Sequence, residues 1–210
     1  MVPEKTIERL SVYRRLVEEM LKKNKKTAYS YEIAQLAGVS SSQVRRDFMF
    51  IGSNGRSNSG YNLYDLSAAI ENYISDQEPD NIALIGAGNL GRAVLTFFHG
   101  RRPNLRIKAC FDTAPEKIGT MIHGCRCYSI DEIPQIAKQH NIHIALISVP
   151  EFAAQEIAER LVKAGVNGIV NFAPIPLSVP PGIFVENVDL TMYLEKVSHY
   201  ARNYRKTMEL

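Results

Sequence analysis

The chain has 210 residues, 45% of them apolar, with 25 Lys and Arg against 22 Asp and Glu, for a formal net charge of +3. That length suits one large domain or two small ones and allows a sizeable core. The N-terminus is charged, no apolar run approaches the roughly 18 residues that a membrane helix needs, and three cysteines make no disulfide framework, so we expect a cytoplasmic protein with reduced thiols and exclude the secreted and membrane-spanning classes. The charge is local. Residues 22–56 carry seven basic side chains against Glu32 and Asp47, whereas residues 76–210 carry fourteen of each sign. The segment 22–56 therefore points to an anionic partner.

Apolar residues at 7, 10, 13, 16, 17, 20 and 21 predict a first helix, with Thr6 before it and the basic turn Lys22 to Lys26 after it. Ser30 is a candidate cap for a second helix, Tyr31 to Ala37, that stops at Gly38. A third helix, Ser42 to Ile51, starts from Ser40 or Ser41, and helix, glycine turn, helix is a helix-turn-helix. Val44, Phe48 and Ile51 form its inward face. Ser41, Ser42, Gln43, Arg45 and Arg46 occupy its first turns, where such residues reach base edges. Residues 52–60 read as a glycine and serine hairpin carrying Arg56, with Tyr61 to Tyr64 returning as a strand, which is the shape of a wing. Tyr61 joins the candidate DNA-binding residues. Asp65 is expected to cap a last helix, Leu66 to Ile74. The competing reading of this region is a small helical bundle with a solvated basic face.

Asp76 to Asp80 is polar and short, with Pro79, and marks a domain boundary. We expect a winged-helix DNA-binding domain over 1–78 and a Rossmann-like NAD(H)-binding domain over 79–189. Ile82 to Ile85 reads as a buried strand, followed by Gly86, Ala87, Gly88, Asn89, Leu90 and Gly91 and then a helix. This GxGxxG between strand and helix suits a dinucleotide: Gly86 permits the turn, Gly88 lets backbone approach a pyrophosphate, and Gly91 lets helix and sheet pack closely. The helix N-terminus then faces the phosphates. A second apolar run, Ile107 to Phe111, ends at Asp112, 21 residues after Gly91, where a carboxylate can accept from adenosine ribose hydroxyls. No Arg follows in 113–116, which favours NADH and NAD+ over their 2′-phosphorylated counterparts.

Further units follow: a short strand in Gly124 to Tyr128, a helix in Ile130 to His140, a strand in Ile142 to Val149 broken by Pro150, a helix in Glu151 to Ala164 ended by Gly165, and strands in Gly168 to Phe172 and Ile183 to Glu186. The alternation predicts an α/β fold with a doubly wound parallel sheet. Strand ends place Val149, Pro150, Asn171 and Phe172 at the ligand cleft, beside the nicotinamide half, with Phe97 completing an apolar pocket. Cys125 and Cys127 are expected on opposite faces of a strand, unable to bridge. None of the five histidines follows a strand end at the cleft, and His143 reads as a core group. A nicotinamide site without an acid or base reads as a sensor rather than an enzyme. The alternative is a small NAD- or CoA-binding oxidoreductase with a basic helical appendage. No catalytic residue and no metal is expected. Leu190, Leu194, Val197, Ala201 and Tyr204 put an apolar stripe on a terminal helix over 190–210, expected to dimerise, since palindromic DNA is met by two-fold dimers.

Val2 and Pro3, Arg9 to Arg15, Gln43 to Asp47, Gly60 and Tyr61, Gly86 to Gly91, Phe111 and Asp112, Lys117 to Gly119, Val149 and Pro150, Asn171 to Pro174 and Val188 to Thr191 resemble the redox-sensing transcriptional repressors called Rex, in one order over nearly the whole chain. The resemblance implies a homodimer that represses its genes while NADH is low and leaves double-stranded operator DNA when NADH binds. It implies a C-terminal helix exchanged between subunits, pyrophosphate contacts from Gly86 to Gly91, a ribose contact from Asp112, and a role for Lys117 in the cofactor site. It also pairs Arg15 of one subunit with Asp189 of the other as a switch contact. Two departures stand out: residues 56–60 are less basic than the family's wing, and Phe97 stands where many members have Tyr.

Overall fold

Helix α1 (Glu4–Lys22) turns its buried stripe, Leu10, Tyr13 and Val17, onto the rest of an N-terminal helical unit. The computed structural model describes residues 3–56, 59–75, 78–100 and 104–208, and the chain divides into units 1–78 and 79–210. In the first unit α1 is followed by β1 (Thr27–Ala28), α2 (Ser30–Ala37), α3 (Ser41–Phe50), β2 (Tyr61–Asn62) and α4 (Leu63–Ile74). Pro3 starts α1 one turn earlier than the apolar spacing suggests, its carbonyl accepting from the Thr6 N–H at 2.8 Å. Gly38, at φ 67°, ends α2 in the left-handed conformation and turns the chain into α3. Phe48 sits at the centre, edge-on to Tyr13 at 5.3 Å and to Tyr61 at 4.9 Å.

Several local expectations change. Ser30 is the first residue of α2 rather than its cap; Tyr29 is the N-cap, and its N–H donates to Glu32 Oε2 at 2.8 Å. Asn62, not Asp65, caps α4, its Oδ1 accepting from Tyr64 N at 2.9 Å and Asp65 N at 3.3 Å. The expected strand over 61–64 therefore stops at Asn62. It pairs antiparallel with β1, Thr27 opposite Asn62 and Ala28 opposite Tyr61. Within the wing Arg56 and Gly60 pair, at 2.9 and 2.8 Å, and residues 57 and 58 lie outside the described residues.

The second unit runs β3 (Asp80–Ile85), α5 (Asn89–Phe98), β4 (Leu105–Asp112), β5 (Met121–Ile122), β6 (Cys125–Ser129), a 3-10 turn (Ile130–Glu132), α6 (Ile133–Gln139), β7 (Ile142–Ile147), α7 (Glu151–Lys163), β8 (Gly168–Asn171), β9 (Phe184–Asn187) and α8 (Leu190–Met208). Its sheet has the order β5-β6-β4-β3-β7-β8-β9, parallel throughout except for the β5–β6 edge. The chain winds outward from β3 through β4 and β6, then returns to the other side of β3 through β7. The strand order thus reverses at β3, the point where doubly wound sheets bind ligands. Ala83, Ile85, Phe111, Ala145 and Ile147 face α6 and α7; Ile82, Leu84, Cys110, Cys127 and Leu146 face the other way, with Leu95 of α5.

Cys125 and Cys127 share that second face, both buried with Cys110, because residues two apart on a strand point the same way; the expectation of opposite faces is wrong. Burial pushes Cys127 up to about 12, so its thiol is neutral near pH 7. His143 is exposed and bonds Asn141 Oδ1 at 3.0 Å, so it is no core group. All of residues 190–204 in α8 are exposed, including Leu194, Val197 and Tyr204 of its apolar stripe. No described helix is long and apolar enough to cross a membrane.

Candidate nucleotide cleft and nucleic-acid surface

The cleft begins where β3 turns into α5. Gly86 has φ 94°, and a Cβ there would meet the Ser148 carbonyl oxygen at 2.6 Å. Ser148 Oγ donates to Gly86 O at 2.8 Å and to Ile85 O at 3.1 Å, fastening the turn to the end of β7. A Cβ on Gly91 would strike the Gly86 carbonyl oxygen. Both glycines are thus required by the fold itself. Gly88 differs: it has an ordinary extended conformation as the N-cap of α5, and a Cβ there would meet nothing within 4 Å. The space it leaves open lies outside the protein, against the N-terminus of α5, where Asn89 and Leu90 are also exposed. A pyrophosphate fits that cradle: first-turn N–H groups point at it and the helix dipole favours its charge.

Asp112 closes β4 across the cleft. Its Oδ2 accepts from Ala87 N at 2.9 Å and Lys117 Nζ at 2.8 Å, and its Oδ1 from Ala114 N at 2.9 Å. Burial opposes ionisation here, but the Lys117 ammonium and the two N–H groups outweigh it and hold the carboxyl below its ordinary range. A carboxylate has about four lone-pair sites, so one on Oδ1 remains for a ribose hydroxyl. Lys117 also supplies the cation that the sequence reading sought only in 113–116. Repulsion of a 2′-phosphate by Asp112 is weaker than a bare carboxylate would give.

From this point a cleft of about 440 Å³ runs past Thr113 to an apolar end formed by Ile130, Val149, Pro150, Phe152 and Ile157. Val149 and Pro150 therefore line the same cleft as Asp112. Val149 packs on the α6–α7 face of the sheet and Phe172 on the α5 face. Phe97 is exposed on α5. Asn171 is fully buried. Its Nδ2 donates to Ile175 O at 2.7 Å, Asn187 Oδ1 at 2.9 Å and Ala173 O at 3.3 Å, and its Oδ1 accepts from Ala173 N at 3.0 Å. With both ends of the amide engaged, Asn171 is a clamp on the β8–β9 connection rather than a ligand contact. Phe152 and Glu156 are lining residues that the sequence reading missed; the signal was Phe152 directly after Pro150 and Glu151, at the start of a helix that opens at a strand end.

In the first unit Ser40 caps α3, accepting from Gln43 N at 3.2 Å, and Ser42 Oγ lies 2.9 Å from Ser40 Oγ. Ser42, Arg45 and Arg46 are exposed and Ser41 is half-buried. Arg45 Nη1 donates to Ser30 Oγ at 3.2 Å. Arg56 is exposed at the wing. Tyr61, by contrast, is buried against Phe48, and a Cβ on Gly55 would touch its ring; it is a core residue and not a DNA contact.

Gln43 belongs to a network centred on Asp47, which is 1% exposed. Arg9 binds Asp47 bidentately, Nε to Oδ2 at 2.6 Å and Nη2 to Oδ1 at 2.7 Å; Tyr13 Oη donates at 3.0 Å and Gln43 Nε2 at 2.9 Å. Burial resists the charge on Asp47, and these donors overcome it and hold its pKa down. An ionised carboxylate only accepts, so the Gln43 nitrogen faces Asp47. Gln43 is therefore partly a buttress between α1 and α3. Arg15 is exposed on α1, and Asp189 caps α8, Oδ1 accepting from Thr191 N at 2.8 Å and Met192 N at 3.1 Å.

Comparison with known proteins agrees over the whole chain. The family described as "CoA binding domain" matches residues 77–175 and the family described as "Putative DNA-binding protein N-terminus" matches residues 1–48. The redox-sensing transcriptional repressor Rex of Desulfitobacterium hafniense is 41% identical over 194 residues, 92% of each chain. The Rex-family repressor RSP, crystallised with β-NAD+ and operator DNA, superposes with TM-score 0.90 at 32% identity, covering 100% of this chain and 96% of that one. RSP with β-NADH gives 0.88 at 31%, covering 100% and 98%. The chain belongs to the Rex family of redox-sensing transcriptional repressors.

Proposed function

We infer that this chain represses transcription according to the NADH/NAD+ ratio, holding palindromic operator DNA while NADH is low and leaving it when NADH binds. One observation carries the reading. A single chain holds both an open glycine cradle at Gly88 facing Asp112 and an exposed basic pair, Arg45 and Arg46, in the N-terminal half of α3, and it superposes over its full length on a repressor crystallised with NAD+ and operator DNA and with NADH. It is a regulator rather than an enzyme, as its family is. Among the described residues, none of the histidines lines the Asp112 cleft.

Gly86 to Gly91 hold the pyrophosphate and Asp112 the adenosine ribose. Ser42, Arg45 and Arg46 meet the major groove, with Arg56 on phosphate or minor groove. The protein is a homodimer, in which α8 covers its apolar stripe against a second copy. Arg15 and Asp189 pair between subunits; Asp189 would then combine that pairing with its cap on α8. NADH acts only through a difference in affinity between the bound and released states, and each tenfold difference supplies about 1.4 kcal/mol.

Fluorescence anisotropy of a labelled palindromic operator, titrated with NADH and separately with NAD+, tests this. Release by NADH with little effect of NAD+ is expected. DNA binding that ignores both nucleotides would overturn the switch.

A further inference from the structure

Phe152 is 86% exposed, the most exposed of the large apolar side chains among the described residues. It is the second residue of α7, and that helix buries Ala154, Ile157, Ala158 and Leu161 on its other side. Packing of the helix on the sheet thus gives Phe152 no role. Its ring stands at the rim of the cleft whose floor holds Gly86, Gly88 and Asp112, at the apolar end with Ile130, Val149 and Pro150.

We propose that Phe152 is the aromatic lid of an adenine subsite. The proposal rests on the dinucleotide reading above. If the glycine turn takes the pyrophosphate and Asp112 the adjoining ribose, the base on that ribose falls in the next stretch of cleft, which is this apolar end. A purine has two flat faces. Ile130 and Val149, both partly buried on the sheet side, give one a wall, and Phe152 supplies the other from the solvent side. Stacking returns the exposed ring from water, which explains why a phenyl group stands in solvent there. Adenine is common to NADH and NAD+. Phe152 therefore sets the total dinucleotide concentration at which the site fills and leaves the ratio of the two affinities to the nicotinamide end.

The test is calorimetric titration of the full chain with NADH, NAD+ and AMP, for wild type, Phe152→Ala and Phe152→Tyr. Phe152→Ala should weaken all three about tenfold, equivalent to about 1.4 kcal/mol. The NADH/NAD+ affinity ratio should stay the same and Phe152→Tyr should restore binding. The melting temperature without nucleotide should not move, since an exposed ring leaves no cavity when removed. Wild-type affinity of Phe152→Ala for all three ligands overturns the lid. So does a loss confined to NADH, which would place Phe152 at the nicotinamide end. A fall in the melting temperature with no rescue by Tyr would make its role structural and also overturn the lid. Failure of wild type to bind any of the three defeats the dinucleotide reading itself, a separate outcome.

Discussion

Three glycines of one turn answer to different demands. Gly91 and Gly86 are dictated by neighbouring backbone, since a Cβ on either would run into a carbonyl oxygen, whereas nothing in the protein requires Gly88. Gly91→Ala should therefore destabilise the fold, by about 1–3 kcal/mol as for other overpacked sites. Gly88→Val should leave stability within about 0.5 kcal/mol, as surface substitutions do. Gly88→Val should nevertheless lose NADH binding at least about tenfold. Thermal melting beside NADH titration separates the two, and a Gly88→Val protein that binds NADH normally would remove the glycine cradle from the site. The turn at Gly86 and the close approach at Gly91 were legible in the sequence because motif spacing encodes them. The saturation of Asn171 was not. Its partners Ile175 O and Asn187 Oδ1 lie 4 and 16 residues away, and only the return of β9 beside β8 brings Asn187 near.

Between elements, the joint that fixes α3 is the carboxylate of its Asp47, gripped by Arg9 and Tyr13 of α1. Removing one partner of a buried pair leaves a charge unpaired, at about 3–5 kcal/mol, with the lower end expected because the Arg9 side chain is 23% exposed. Asp47→Ala should lose that much in urea denaturation at pH 7. The pH dependence has a definite sign. The folded pKa of Asp47 lies below its ordinary 3.8, so its contribution is complete above about pH 5 and is lost as pH falls through the folded value. The stability gap between wild type and Asp47→Asn should therefore narrow as pH falls from about 7 to about 3; an equal gap at both would show that the network does not act through charge. The helices themselves were legible from apolar spacing, but their caps were not. Asn62 and Asp65 are equally good capping residues. The choice falls to Asn62 because Leu63 N donates to Lys26 O at 2.9 Å, tying the helix start to β1, a contact across 37 residues that no local pattern records.

For the whole molecule, the dimer proposed above rests on α8. Leu190, Leu194 and Val197 are each more than half exposed, as is Phe184 on β9, and a helix with such a stripe is stable in water only when something covers it. Leu194→Asp should shift sedimentation from dimer to monomer and weaken binding to a palindromic operator much more than to a half-site. An unchanged sedimentation coefficient would put the dimer contact elsewhere. The stripe itself was plain in the sequence. That it lies uncovered in a single chain could be seen only in the fold.

The Lys117–Asp112 pair has a consequence for the acidity at which such a sensor works. Because Asp112 stays ionised well below neutral pH, the ribose contact proposed for it takes up no proton when the hydroxyl arrives and releases none when it leaves. Its share of nucleotide affinity is therefore the same at pH 6 as at pH 8. Through this residue the protein reads electrons without counting protons, although NADH and NAD+ interconvert in reactions that move both.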